Sequence, residues 1–177
     1  DTEVDQAINR AHEAHLEWKR TPFSHRASLM KEAARILRNR SREFGELMTR
    51  EMGKPLSGGI SEAEKCAWVC EYYAENAEEF LADQDVETDA GRSFVTFQPI
   101  GVVLAVMPWN FPFWQLFRAR IPAIMAGNTV LLKHAPNVTG CARAIEELIG
   151  EAALPEGVLQ ALLISEDRVD EVLRRSE

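Results

Sequence analysis

Features of membrane, nucleic-acid-binding and secreted proteins are scarce in this sequence. No apolar run approaches the roughly 20 residues needed to cross a bilayer. Only 20 basic side chains stand against 28 acidic ones, giving a formal charge of −8, and no Lys/Arg stripe could neutralise nucleic-acid phosphates. The three cysteines are few and odd in number, as expected for reduced thiols, and no secretory-type segment is present. We therefore expect a cytoplasmic protein that binds neither membranes nor nucleic acids.

The three cysteines also lack the spacing of a metal site. Cys66 and Cys70 lie one helical turn apart without a second pair, and Cys141 falls in a predicted helix. None of them has the surroundings of a nucleophile. We expect buried structural thiols and no metal site.

The first 83 residues have the periodicity of amphipathic helices. Apolar positions recur at helical spacing over 4–18, over 29–37 and from residue 41 until Gly53. Ser61 and Glu64, at capping-box spacing, predict the start of a long fourth helix. Residues 84–99 change to short β-like pieces around a turn at 89–91, which predicts a β-hairpin.

The rest of the chain alternates nearly continuous apolar runs with helical stretches. The runs at 102–107, 129–132 and 158–164 are typical of strands covered by helices on both faces, and they recur about every 30 residues, the length of a βαβ unit. Helices are predicted over 113–125, with a kink at Pro122, over 138–153 and over 167–174.

These patterns predict an α/β fold in which N-terminal helices (1–83) and a β-hairpin (84–99) lead into an incomplete, doubly wound, Rossmann-like parallel sheet (100–177). Short crossovers between buried strands require a parallel, right-handed arrangement. Three strands leave edges and apolar faces uncovered, so we expect further protein to complete the sheet.

Two polar residues are predicted at the carboxyl edge of this sheet, where ligands of open α/β sheets bind. Asn110 lies in the turn 108–112 that follows the first buried strand, and its uncharged amide can donate to an oxyanion. The alternative is an Asn that hydrogen-bonds its own backbone. Lys133 ends the second strand, where an ammonium reaches ribose hydroxyls or a phosphate; the alternative is a solvated lysine.

Two linked runs, PIGVVLAVMPWNFPFWQLFR at 99–118 and AGNTVLLKHAPN at 126–137, resemble motifs of the aldehyde dehydrogenase superfamily. The helical opening, the hairpin and the Leu-Pro-Glu-Gly-Val step at 154–158 match as well, so the resemblance covers essentially the whole chain. Lys-His-Ala-Pro-Asn at 133–137 and Trp-Gln at 114–115 are most similar to the bacterial succinate-semialdehyde dehydrogenases.

The resemblance implies that a cysteine thiolate attacks an aldehyde, the oxyanion gives hydride to a nicotinamide, and glutamate-assisted water hydrolyses the thioester. Asn110 is then the catalytic residue that donates to the oxyanion, while Met107, Pro108 and Trp109 line the cofactor cleft. The full set of cofactor-binding residues implied is Met107, Pro108, Trp109, Lys133, His134, Ala135 and Pro136.

The cofactor is NAD or NADP. Many members of the family carry, soon after the strand lysine, a carboxylate that binds the ribose and would repel a 2′-phosphate; His134, Ala135, Pro136 and Asn137 supply none. The resemblance favours NAD and leaves NADP open. His134 itself has no catalytic role, since a histidine after a strand is more often a packing or solvent residue.

Arg118 is the residue expected to select the substrate. It matches the position where succinate-semialdehyde dehydrogenases place an arginine proposed to bind the distal carboxylate, and a guanidinium fork suits that group. The alternative is an ion pair with Glu146 or Glu147. Phe111, Phe113 and Trp114 would line an aldehyde tunnel, or alternatively belong to the core.

The sequence thus predicts the N-terminal part of an NAD(P)-dependent aldehyde dehydrogenase for a small aldehyde acid such as succinate semialdehyde. The resemblance implies a homodimer or homotetramer assembled through the hairpin. The catalytic cysteine, the glutamate and the catalytic domain are expected outside this chain, which alone should be inactive. Two alternatives remain, namely an aldehyde dehydrogenase for a neutral aldehyde and a truncated, non-catalytic binding or assembly module.

Overall fold

The computed structural model describes residues 2–175. Four N-terminal helices precede a short antiparallel strand pair, and three parallel strands with their connecting helices follow. The elements are α1 (Thr2–Trp18), α2 (Phe23–Asn39), α3 (Ser41–Met52), α4 (Leu56–Phe80), β1 (Gln84–Asp85), β2 (Phe94–Val95), β3 (Val102–Met107), α5 (Trp114–Met125), β4 (Thr129–His134), α6 (Thr139–Glu151), β5 (Leu159–Ala161) and α7 (Val169–Leu173). None of the described helices is both long enough and apolar enough to span a bilayer.

The three-stranded sheet has the order β3-β4-β5, and both pairings are parallel. All six residues of the central strand β4 are buried, which confirms the predicted α/β class with a parallel sheet. Met107 at the end of β3 pairs with His134 at the end of β4. The segments that leave these two strands therefore start side by side, at the carboxyl ends of β3 and β4, which we call the sheet edge.

The structure corrects several predicted boundaries. Helix α4 begins at Leu56, so Ser61 lies inside it and does not cap it. Strand β4 extends to His134, which places Lys133 within the strand rather than at its end. Strand β5 covers only Leu159–Ala161 of the apolar run at 158–164, because only these three residues pair with β4.

Close packing of α3 on α4 explains why the fourth helix tolerates glycine near its start. A Cβ placed on Gly59 would lie 2.7 Å from the Cα of Gly45 in α3. Glycine is a poor helix former, but here only hydrogen fits between the two backbones. This contact holds the first turns of α4 directly against α3.

Helix α5 is held at its C-terminal end by side chains from α1 and α2. The Trp18 indole donates to the carbonyl of Ile124 at 2.8 Å, and the Arg26 guanidinium donates to the carbonyl of Met125 at 2.7 Å. The last carbonyls of a helix have no partners within it and favour a nearby cation. The N-terminal helices therefore fix the position of α5 and, with it, the turn that precedes it.

The Ala-Gly-Asn-Thr-Val motif joins α5 to β4 and also aligns β3. The Asn128 side-chain oxygen accepts from the backbone N–H groups of Ile100 and Gly101 at 2.8 and 3.1 Å, and its amide donates to the carbonyl of Ala123 at 3.0 Å. Gly127 has φ +100°, a left-handed conformation that favours glycine. The motif thus fixes the start of β3.

Candidate active site

The turn between β3 and α5 presents Asn110 to solvent at the sheet edge. Residues 108–111 are all exposed, whereas Pro112 is buried. Within the described part of the chain, the Asn110 amide makes no hydrogen bond to protein, so it is not the self-bonded turn residue of the alternative interpretation. Its N–H groups are available to a ligand.

A buried ion pair between Lys54 and Glu62 holds the C-terminal side of this turn. One carboxylate oxygen of Glu62, in α4, accepts from the backbone N–H groups of Phe113 and Trp114, both at 2.9 Å, and the other accepts from the Lys54 ammonium. The Lys54 nitrogen also lies 3.9 Å from the centroid of the Phe111 ring. Glu62 is only 4% exposed. The pair therefore caps α5 and fixes the aromatic residue beside Asn110.

Sequence reasoning missed Lys54 and Glu62. The available signal was the position of Glu62, four residues before Cys66 and eight before Cys70, on the buried side of α4. A carboxylate at such a position needs a cation or several N–H donors, because burying it unpaired is costly. The sequence does not show which donors these are.

His134 connects the end of β4 to the turn after β3. Its Nε2 donates to the carbonyl of Pro112 at 2.8 Å, and its Nδ1 accepts from the N–H of Ala135 at 3.1 Å. Burial lowers the pKa of this histidine, which favours the neutral ring that these two bonds require. Both ring nitrogens therefore have protein partners, as the packing interpretation expects. Ala135 and Pro136 follow, half-buried and exposed respectively.

Lys133 is 3% exposed and lies opposite Val106 in the sheet. Among residues 2–175 no carboxylate pairs with it and no group accepts a hydrogen bond from it. Lysines this buried are normally paired. The structure thus places an ammonium without a protein partner one residue from the end of the central strand.

The two helices that begin at the sheet edge already carry acidic caps. Glu62 caps α5, and the two carboxylate oxygens of Glu51 accept from the N–H groups of Gly140 and Cys141 in α6, each at 2.8 Å. A helix N-terminus is the usual phosphate site in dinucleotide-binding sheets. Here these two N-termini are satisfied by the protein, so a phosphate at this edge must find other donors.

An open cavity of about 390 Å³ lies between α4 and α5, beside the 108–112 turn. It brings together Arg118, Phe111 and Trp114, which were expected to contact the substrate, whereas Phe113 is fully buried in the core. We call it the α4–α5 cavity, and its lining consists of Gly58, Ser61, Glu62, Lys65, Phe111, Trp114, Gln115 and Arg118.

Two cations line the α4–α5 cavity. Arg118 donates from Nε and Nη2 to the side-chain oxygen of Gln115 at 3.1 and 2.9 Å, and the Lys65 nitrogen lies 4.1 Å from the centroid of the Trp114 ring. The alternative ion pair of Arg118 with Glu146 or Glu147 is wrong, because those glutamates line a different cavity. In the described structure neither cation has a carboxylate partner.

All three thiols are buried. Burial raises the pKa of each of them, which leaves the unreactive thiol as the form present near neutral pH; the residues are Cys66, Cys70 and Cys141. They therefore have the character of structural residues.

Comparisons with known proteins point to one family. The sequence pattern of the aldehyde dehydrogenase family matches residues 1–177. A probable NADP(+) succinate-semialdehyde dehydrogenase of Synechocystis sp. is 52% identical over 162 residues, which are 92% of this chain and 36% of that protein. The NADP(+) succinate-semialdehyde dehydrogenase 1 of Mycobacterium tuberculosis is 45% identical over 177 residues, 98% of this chain and 39% of that protein.

A solved structure has the same fold as this chain. The succinic semialdehyde dehydrogenase of Streptococcus pyogenes, crystallised with NADP+, superimposes with a TM-score of 0.95 at 36% identity, over 99% of this chain and 39% of that one. The chain spans 36 to 39% of the length of these relatives. It belongs to the aldehyde dehydrogenase family.

Proposed function

We propose that this chain supplies the first part of the cofactor-binding domain of a succinate-semialdehyde dehydrogenase. The observation that carries the proposal is the α4–α5 cavity. It adjoins a turn with an unpaired amide donor, Asn110, and its wall carries cations without carboxylate partners, which suits a substrate with a carbonyl at one end and a carboxylate at the other. The names of the relatives support the same substrate.

Asn110 would act on the carbonyl end of the substrate. As a nucleophile adds to the carbonyl carbon, negative charge develops on the oxygen, and a fixed N–H donor stabilises it. Asn110→Ala should lower kcat by about 100-fold, the usual consequence of losing one such donor. Because the Asn110 side chain has no hydrogen-bond partner among residues 2–175, this variant should leave the melting temperature nearly unchanged, which separates the chemical effect from a folding effect.

The residues of the sheet edge fit a nicotinamide dinucleotide. Such a cofactor, when bound, accepts the hydride. Lys133 offers an ammonium to ribose hydroxyls or a phosphate. The cleft would be formed by the exposed Pro108, Trp109 and Pro136 together with the half-buried Ala135 and the buried Met107. Residues 134–137, directly after Lys133, include no carboxylate that would repel a 2′-phosphate. This absence and the names of the relatives favour NADP over NAD.

The buried thiols bear on the activity of the chain by itself. The nucleophile that this family requires is not supplied by any of the three cysteines, because burial raises their pKa values. We infer that the 177-residue chain alone does not oxidise aldehydes.

The strand pair β1–β2 supports the proposal of a homodimer or homotetramer. Strand β2 and the residues that flank the pair carry exposed apolar side chains, each 44 to 46% exposed: Val86, Phe94, Val95 and Phe97. An exposed apolar patch of this kind favours association.

The test compares succinate semialdehyde with butanal, which has the same number of carbons and no carboxylate, using the protein in which this chain occurs and both NADP and NAD. We expect kcat/KM to be at least about tenfold higher for succinate semialdehyde, the usual scale of one charged contact. A preference for butanal would favour the neutral-aldehyde alternative. Self-association without turnover on either substrate would favour a non-catalytic assembly module.

A further inference from the structure

We propose that Lys65 is a second specificity-determining residue that binds the distal carboxylate of the substrate from α4 while Arg118 binds it from α5. This inference rests on the proposed function and deepens it. The two side chains come from different helices and line the same cavity. Arg118 was singled out by its sequence position, whereas Lys65 is identified only by the structure.

The charges around the α4–α5 cavity leave these two cations available. Glu62 is the only acidic residue of the lining, and its oxygens are occupied by Lys54 and by two backbone N–H groups. Lys65 and Arg118 have no carboxylate partner in the described structure. The cavity therefore has an excess of positive charge, which a carboxylate would neutralise.

The positive end of helix α5 does not compete for this carboxylate. The N–H groups of Phe113 and Trp114 already bond to Glu62, so the helix start lacks free donors there. Recognition of an anion in this cavity must come from side chains. Lys65 and Arg118 are the two cationic side chains of its lining, and Lys54, which is paired with Glu62, does not belong to the lining.

Each cation is oriented by a neutral neighbour on α5. The Lys65 nitrogen lies over the Trp114 ring, a cation–π contact that keeps the side chain on the cavity wall. Gln115 accepts from one edge of the Arg118 guanidinium and leaves the remaining N–H groups for a ligand. Neither neighbour removes the positive charge. Both cations are thus positioned without being neutralised, as a binding site for a carboxylate requires.

The experiment uses the protein in which this chain occurs, with Lys65→Met, Lys65→Arg and a control, Lys31→Met, on the exposed face of α2. Methionine is an unbranched side chain only one atom shorter than lysine, so it can still pack on Trp114, but it removes the charge. For Lys65→Met we expect kcat/KM on succinate semialdehyde to fall by about tenfold, mainly through KM, and kcat/KM on butanal to change by less than about twofold. Lys65→Arg should recover most of the loss, and Lys31→Met should match the unchanged protein.

Equal losses on the two substrates, or no loss on succinate semialdehyde, would overturn the role of Lys65. A loss that Lys65→Arg does not recover would also overturn it, because charge would then not be the cause. Failure of the proposed function gives a different result, since the unchanged protein would then itself prefer butanal. As an independent readout, the inhibition constant of succinate should rise in Lys65→Met and stay constant in Lys31→Met.

Discussion

Replacing Glu62 by glutamine tests whether the buried carboxylate positions the start of α5. Glutamine keeps an oxygen that accepts a hydrogen bond but loses the charge, so the bonds from the Phe113 and Trp114 amides weaken and the Lys54 ammonium loses its counter-charge. Hydrogen bonds to charged groups contribute about 1.5–3 kcal/mol and neutral ones about 0.5–1.5 kcal/mol. Two weakened bonds therefore cost about 2 kcal/mol in total.

Amide hydrogen exchange measures this effect where it occurs. A loss of about 2 kcal/mol in the local opening free energy accelerates exchange by about 30-fold. We expect this acceleration at the amides of Phe113 and Trp114 in Glu62→Gln. The matched control is Glu51→Gln, which weakens the equivalent bonds of Gly140 and Cys141 and should accelerate those amides instead. Unchanged exchange at Phe113 and Trp114 in Glu62→Gln would refute the capping role.

Three further predictions follow from burial and close packing. Burial lowers the pKa of His134 and of His15, so the unfolded chain binds protons at these histidines more tightly than the folded chain does. The melting temperature should therefore be highest above about pH 6.5 and should fall as the pH drops towards the lower pKa values of the folded chain. In His134→Gln this fall should be smaller. Gly59→Ala forces a Cβ to within 2.7 Å of the Gly45 Cα and should lower the free energy of unfolding, measured by urea denaturation, by about 1–3 kcal/mol. The control is Gly150→Ala: no atom lies within 4 Å of a Cβ added there, so alanine should cost little. The three thiols should resist Ellman's reagent in the folded protein and react on denaturation; rapid labelling of the native chain would show that they are not buried.

The parallel sheet could be predicted closely because its signal is local. Strand β3 has the predicted bounds, since six consecutive apolar residues end at a proline. The edge strand β5 is shorter than its apolar run because pairing, not composition, ends a strand. Helix α4 begins before Ser61 because its first turns pack on α3, a contact between residues that the sequence separates.

In the candidate site, too, residues within one local motif could be predicted and residues brought in by distant contacts could not. Asn110 and Arg118 belong to one contiguous motif, so the resemblance identified both. Lys54, Glu62 and Lys65 act on that motif from about 50 residues away, and nothing in their immediate neighbours indicates it. Side chains that meet only after α4 packs on α5 become visible only in the folded chain.

The acidic caps on α5 and α6 limit how this protein can be divided. Both carboxylates belong to the first 83 residues, while the N–H groups that they satisfy belong to the sheet region. A chimera built from 100–177 alone would carry two uncapped helix starts and would lose the indole and guanidinium that hold the other end of α5. Any transplant of residues 100–177 into another scaffold must therefore bring α1 to α4 with it.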